Sequence, residues 1–266
     1  MLYKVGELAE LFGISPQTIH HYEKLGLIEP KRDGINRYRY FDEYDFQKLG
    51  TIKRLRNAGF PLKDSASVYH RQNEQDVYWQ YKQRRREVME EIEHQLKLVE
   101  QLDFYIDKLD ELNNGEDSFK VCEMDSFYRY NVTKEKEGII LTKKMIEECT
   151  EWYQNLFFTT TSIMFNFKDG VFGNYSVGVI AEKKIFNRFI TAKSDDISEI
   201  ERGLFAVKLF KYFNNIDIDN MQSECWKFLR TTNYELRANP FTRLISTCKD
   251  ENDNKVNVVE LILPIK

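Results

Sequence analysis

Three groups of side chains have types and spacings suited to chemistry. The first is a pair of cation clusters: Lys31, Arg32, Arg37 and Arg39 around a single Asp33, then Lys53, Arg54 and Arg56 beyond the next helical stretch. Cations grouped this way hold phosphates, and Tyr38 and Tyr40 beside Arg39 serve the same end. The second group is Gln17, Thr18, His20, His21 and Tyr22, whose short polar ends can reach base edges. The third is Glu260, a lone carboxylate in the apolar run Val256 to Ile265. Buried without a partner it would cost on the order of several kcal/mol, so it faces solvent, pairs with a base or meets a ligand. Strand alternation puts it on the face of Val258 and Ile262, although Val259 and Leu261 make the other face apolar too.

Other chemistry lacks support. No nucleophile stands at recognisable spacing from an orienting base, so Glu260 with a nearby tyrosine is an incomplete acid–base site and no enzyme is expected. Cys122, Cys149, Cys225 and Cys248 lie more than 20 residues apart, which excludes Cys-x-x-Cys metal or redox spacing and suggests reduced thiols in a cytoplasm. No cofactor and no metal site is expected. Glu7 and Glu10 interrupt any apolar leader, and the uncharged stretch Trp152 to Phe167 is broken by polar residues, so neither a secretion signal nor a membrane span is expected.

The elements that position these groups follow from charge and period. With 266 residues, two domains or one domain plus a smaller module are expected. The net charge of −4 divides unevenly: +2 over residues 1–74, −4 over 75–113 and −2 over 114–266. Val5, Leu8, Ala9 and Phe12 have helical spacing, Gly13 breaks it, and Ser15-Pro16 starts a second helix, with Ile14 and Ile19 as contacts between the two. Helix, tight turn and helix in so short a span is helix-turn-helix geometry. An Asp33-Gly34 turn and a strand through Tyr38-Arg39-Tyr40 follow. Asp42 then caps a helix through Phe46, Leu49, Ile52 and Leu55 that stops at Gly59 and Pro61.

Residues 75–113 lack Gly and Pro and carry a heptad seam: Arg85, Val88, Ile92, Gln95, Val99, Leu102, Ile106, Leu109 and Asn113. Its narrow apolar stripe with charged flanks predicts a dimerising coiled coil, with Val88, Ile92, Val99, Leu102, Ile106 and Leu109 as the contacts. Beyond Gly115 the period changes. Strands near Phe127–Val132, Ser162–Phe167 and Tyr175–Ala181 accompany a helix from about Ile139 to Phe157. The order then recurs as strand Leu204–Phe210, helix Ile218–Arg230 and strands near Arg243–Thr247 and Val256–Leu263. This predicts an α+β domain of two pseudo-repeated strand-helix-strand-strand units curved around a cleft.

The first 113 residues resemble the MerR family of transcription regulators. The matching residues are Tyr3-Lys4-Val5-Gly6-Glu7-Leu8-Ala9, Gly13 with Ser15, Tyr22-Glu23-Lys24-Leu25-Gly26-Leu27-Ile28, Tyr38-Arg39-Tyr40-Phe41, and Leu55 with Gly59-Phe60-Pro61-Leu62. The resemblance implies a mainly helical winged helix-turn-helix over 1–74 and a dimer helix over 75–113. It further implies a homodimer on near-palindromic double-stranded promoter DNA that changes the shape of the DNA for RNA polymerase when a signal is sensed. Ser15, Gln17, Thr18, His20, His21, Tyr22, Arg37, Tyr38, Arg39, Tyr40, Arg54 and Arg56 would touch the DNA. At the end of the recognition helix the family usually has an arginine before two tyrosines, where this chain has His20-His21-Tyr22. An imidazole is shorter than a guanidinium and loses its two-pronged grip on guanine, so an altered base preference is expected.

Residues 118–266 look similar to the GyrI-like effector-binding domain of multidrug-sensing members of that family. The likeness rests on Gly203-Leu204-Phe205-Ala206-Val207, Tyr234-Glu235 and Val259-Glu260-Leu261-Ile262-Leu263-Pro264-Ile265. It implies a cleft for a bulky aromatic, often cationic, small-molecule effector. Since 22 of the 37 aromatic residues lie between Phe119 and Phe241, aromatic walls are available, and Trp152, Tyr153, Phe165, Tyr212 and Trp226 are the expected ones, with Glu260 as the acid. Arg243, if it points into the cleft, would favour a neutral or anionic effector. Two alternatives remain at this level: a hydrolase activity in the second domain, as some isolated GyrI-like domains resemble, and a metal or redox sensor.

Overall fold

The computed structural model describes residues 2–32, 38–65, 73–133, 142–168, 171–191, 193–213 and 217–266. The Asp33-Gly34 turn, Arg37 and the expected helical start at Ile139 lie outside these residues. The chain divides into two compact units, 1–96 and 97–266.

In the first unit, α1 (Val5–Phe12) ends at Gly13, whose φ of 59° is the left-handed conformation that glycine adopts without a Cβ penalty. α2 (Pro16–Lys24) starts at once: the Ser15 hydroxyl accepts from the Thr18 amide at 3.1 Å, and Pro16 takes the first helical position. The two helices close on Leu8, Ala9, Ile19 and Tyr22, with Leu27, Ile28, Phe41, Leu49 and Ile52 completing the core and Ile14 packed against it. A three-stranded sheet adjoins them: β1 (Tyr3–Lys4), β2 (Lys31–Arg32) and β3 (Arg39–Phe41), in the order β1-β3-β2. Asp42 caps α3 (Glu43–Asn57) through the amides of Tyr44 and Asp45. The buried Asp45 carboxylate accepts from the Glu29 amide at 3.0 Å, tying the segment before the wing to α3.

α4 (Glu74–Asn113) is one continuous helix of 40 residues. Its first part belongs to the first unit, where Arg84 donates to the Ala58 carbonyl at 3.1 Å, and the part from Lys97 onward belongs to the second. Met89, Ile92, Leu96, Val99, Leu102 and Ile106 are exposed along it.

The second unit is an eight-stranded antiparallel sheet. In chain order it contains β4 (Lys120–Met124), β5 (Phe127–Asn131), α5 (Lys143–Gln154), β6 (Thr160–Lys168), β7 (Val171–Glu182), α6 (Lys183–Phe189), β8 (Ile197–Ile200), β9 (Gly203–Phe213), α7 (Ile218–Thr231), β10 (Phe241–Lys249) and β11 (Lys255–Ile265). The spatial order is β4-β9-β11-β10-β6-β7-β5-β8. One face carries the helices: Met145, Cys149 and Trp152 of α5 pack on Tyr130, Val179 and Ala181, and Met221 and Cys225 of α7 pack on Val259, Leu261 and Leu263. The opposite face carries Phe127, Ile180, Val207, Phe241 and Ile262, and next to them Leu209, Ile245 and Val258 beneath α4. Strands β4 and β8 and helix α6 were not anticipated, being short, and β4 has an almost wholly exposed pattern with no apolar alternation.

Arg129 is a buried cation held by neutral acceptors. Arg129, on the α4-facing side of β5, donates to the Ser162 hydroxyl and carbonyl, the Ser176 carbonyl and the Asn131 amide oxygen. Burial alone lowers its pKa, to about 10. Neutral acceptors on three strands thus hold β5, β6 and β7 in register.

Because α2 depends on its cap for its first turn, Ser15→Ala should lower stability by about 1 kcal/mol, and Ser15→Gly by only a few tenths. Urea denaturation monitored by circular dichroism measures both.

Candidate nucleic-acid interface and ligand cleft

On α2 the inward residues Ile19 and Tyr22 leave Gln17 and His21 exposed and Thr18 and His20 half-buried. Tyr22, expected at the DNA, has its ring in the core at 8% exposure; at i+3 from Ile19 it falls on the helix face that closes on α1. The Ser15 hydroxyl, also expected to contact DNA, is engaged by the Thr18 amide and hydroxyl. On the wing Tyr38 is exposed and Tyr40 half-buried, their rings 5.5 Å apart. Arg54 and Arg56 are both exposed at the end of α3, and Arg56 donates to the Phe60 carbonyl at 2.6 Å.

Glu23, a residue the sequence reading did not single out, gathers these groups. Its carboxylate accepts from Arg39 Nε at 2.9 Å, from Arg32 at 3.4 Å and from His20 Nδ1 at 3.4 Å. Partial burial pushes its pKa up, but the hydrogen bond and charge of Arg39, with His20 and Arg32, outweigh burial and hold it below the usual carboxylate range. Arg39 is therefore not simply free for phosphate, since it joins the wing to α2. The signal was present in the sequence as the i, i+3 spacing of His20 and Glu23.

In the second unit, Arg243 of β10 and Glu260 of β11 stand directly opposite each other, and their side chains are joined by an ion pair. Glu260 is 1% exposed and also accepts from Lys108 of α4 at 3.0 Å. Arg243 reaches Glu182 of β7 at 3.3 Å and lies 4.3 Å from the Phe104 ring centroid. Burial would raise the pKa of Glu260, but the charges of Arg243 and Lys108 prevail and hold it below its ordinary value.

Phe104 and Tyr105 of α4 lie over this cluster, with the Tyr105 hydroxyl donating to the Phe157 carbonyl at 3.3 Å. Together with Gln101, Phe127, Phe158, Thr160, Ile180 and Leu244 they enclose a cavity of about 20 Å³, the room one water needs. None of the five expected aromatic wall residues lines it. Trp152, Phe165 and Tyr212 are buried on the sheet face that carries α5 and α7, Trp226 of α7 stands against Phe167 and Phe172, and Tyr153 is exposed on α5. Large aromatics at helix-facing positions close the core of their own layer. Leu109, read as the last apolar position of the dimer seam, packs with Phe104, Tyr105 and Leu112 on Leu209, Ile245 and Val258.

Cys149 and Cys225 are buried and Cys122 and Cys248 exposed, all as free thiols. Among the described residues no group of His, Cys, Asp and Glu is placed to hold a metal, and no helix is long and apolar enough to cross a membrane.

A capped helix behind a glycine turn, with a cationic β-wing beside it, defines the helix-turn-helix class of DNA-reading folds. Residues 3–71 match the family described as MerR HTH family regulatory protein. Over 63 residues the chain is 41% identical to the HTH-type transcriptional regulator SkgA of Caulobacter vibrioides, covering 24% of this chain and 25% of that protein. Over 77 residues it is 30% identical to an HTH-type transcriptional regulator of Synechocystis, covering 29% of this chain and 56% of that protein. The chain thus spans from a quarter to about half of the length of these curated relatives. Among solved structures, the cryo-EM EcmrR–DNA complex aligns over 99% of both chains at 14% identity, with a TM-score of only 0.40.

The buried pair makes stability depend on acid in a defined direction. Glu260 titrates at its ordinary value near 4.5 when unfolded and lower when folded. Its contribution is therefore complete above that value and lost as the pH falls through the folded one. Arg243→Met, which strands the carboxylate, should cost about 3–5 kcal/mol, whereas Arg243→Met with Glu260→Leu should recover most of this. In thermal melts between about pH 7 and about pH 3, the double variant should lose less stability than the native chain.

Proposed function

We propose that the chain is a DNA-binding transcription regulator of the MerR type. The observation that carries this is the match of residues 3–71, which coincides with the capped α2 and the cationic wing. In this reading Gln17, Thr18, His20 and His21 face the major groove, and Tyr38, Tyr40, Arg54 and Arg56 lie along the phosphates. The protein works as a homodimer joined along the exposed stripe of α4 through Ile92, Val99, Leu102 and Ile106, with the half-buried Val88 beside it. It places two copies of α2 on a near-palindromic promoter, where it alters DNA shape for RNA polymerase.

The second unit is the sensor. Its strand order β5-β7-β6 on one side of the β6–β10 junction is repeated as β9-β11-β10 on the other. This supports a duplicated strand-helix-strand-strand unit with the ligand cleft at the junction. The occupant is a flat aromatic compound without positive charge. The ring of Phe104 over the Arg243 guanidinium supports this reading, since an aromatic face is the group that packs on that cation. Such an effector enters as Phe104 leaves, which transmits its arrival to α4.

The regulator reading is tested by footprinting the purified protein on the DNA upstream of its own gene. Protection of a two-fold related site is expected, and absence of protection on this and on a genomic library would refute it. Ile92→Glu with Val99→Glu should give a monomer in sedimentation and weaken promoter binding by at least about tenfold, since one module alone makes half the phosphate contacts.

For the sensor, Phe104→Ala should open a cavity that binds naphthalene or 2-naphthoate, raising the melting temperature in the presence of either. Tetraphenylphosphonium should give no shift. The reverse order would refute the proposed ligand charge.

A further inference from the structure

We propose that Glu23 acts as a positioning residue that fixes which ring nitrogen of His20 carries its proton, so that the base read by His20 changes with pH. The inference rests on the DNA-reading assignment of α2.

His20 and Glu23 are three residues apart on α2, and Nδ1 of the ring faces a carboxylate oxygen at 3.4 Å. An ionised carboxylate only accepts hydrogen bonds. Glu23 is kept ionised by Arg39 and Arg32, whose guanidinium groups share its two oxygens. The nitrogen facing it must therefore bear the hydrogen. In a neutral imidazole only one nitrogen does, so Nε2 at the outer edge of the ring is a bare acceptor. The ring is about one-third exposed, with a side-chain exposure of 37%. The charged groups gathered at it are Glu23 on its own helix and, through the same carboxylate, Arg32 from β2 and Arg39 from β3.

The major groove distinguishes these two states of Nε2. Cytosine N4 and adenine N6 offer hydrogens, whereas guanine N7 and O6 offer only lone pairs. A bare Nε2 accepts from cytosine or adenine and is repelled by guanine. Once the ring is protonated Nε2 donates, and the preference inverts toward guanine. An arginine in this place would have a single fixed answer, because it has no acceptor and stays charged. Without Glu23, the neutral ring could carry its hydrogen on Nε2 and donate to guanine at any pH.

The test is selection from randomised duplexes by the full-length protein at about pH 5.5 and about pH 8, either side of the range where imidazoles change charge. One position in each half-site should move from cytosine or adenine to guanine as the pH falls, with a change in relative preference of about tenfold. His20→Ala should still bind and lose the change. Glu23→Gln should keep the guanine preference at low pH and lose the discrimination against guanine at high pH. Any general gain in its affinity from freed arginines would be the same for all sequences. An identical preference at both pH values in the native protein overturns the proposal. No binding to any duplex would instead refute the DNA-reading assignment. In that event ¹⁵N spectra of the His20 ring still decide the tautomer: Nδ1–H supports the role of Glu23, and Nε2–H overturns it.

Discussion

The buried pair of Arg243 and Glu260 governs the second unit. Two charges removed from water must be satisfied on every side, and the sheet alone does not supply enough partners. Glu182 comes from β7, across the junction between the two halves of the sheet, and Lys108 comes from α4. The charge requirement of one strand pair thus recruits an element from each half and from the helix that covers them. Phe104 and Tyr105 lie over the same cluster, the Phe104 ring 4.3 Å from the Arg243 guanidinium.

The first unit solves a related problem at its surface. The proposed recognition of nucleic acid asks for cations and polar ends that are exposed yet held in place. Glu23 holds three of them from three elements, His20 on α2, Arg32 on β2 and Arg39 on β3. Asp45, buried behind the wing, anchors the chain entering it. A carboxylate in a cationic patch lowers total attraction to phosphate, but it reduces the disorder that the side chains would have to give up on binding.

Elements with strong local signals were legible in the sequence. The Gly13 turn, the Ser15 and Asp42 caps, the long helix without Gly or Pro, and the strands around Glu260 lie where spacing and capping placed them, because each depends on neighbours close in sequence. Glu260 faces the side of Val258 and Ile262, as alternation suggested. What was illegible depends on long-range placement. Lys108 and Glu260 are far apart in sequence, and nothing in either segment marks the other. Residue type marks Trp152, Phe165 and Tyr212 as large aromatics, yet the face of the sheet on which they are buried is set by α5 and α7, which cover them. α4 carries a second stripe, Phe104, Lys108 and Leu112 with Tyr105 and Leu109, overlapping the heptad at its last turns, and this diverts Leu109 to the sheet.

The junction between β6 and β10 has a consequence for the cooperativity of the sheet. Its backbone pairing is short, with Phe241 opposite Met164 and the Phe165 amide donating to the Pro240 carbonyl at 2.9 Å, and side chains bridge it besides: Thr242 accepts from the Ile163 amide, Thr160 donates to the Leu244 carbonyl, and Asn239 accepts from the Phe167 amide. A ladder made of rotatable hydroxyls yields before one made of peptide groups. Fewer peptide hydrogen bonds tie the sheet here than along its longer ladders, so opening of the native sheet should start at this seam, with four strands on either side of it.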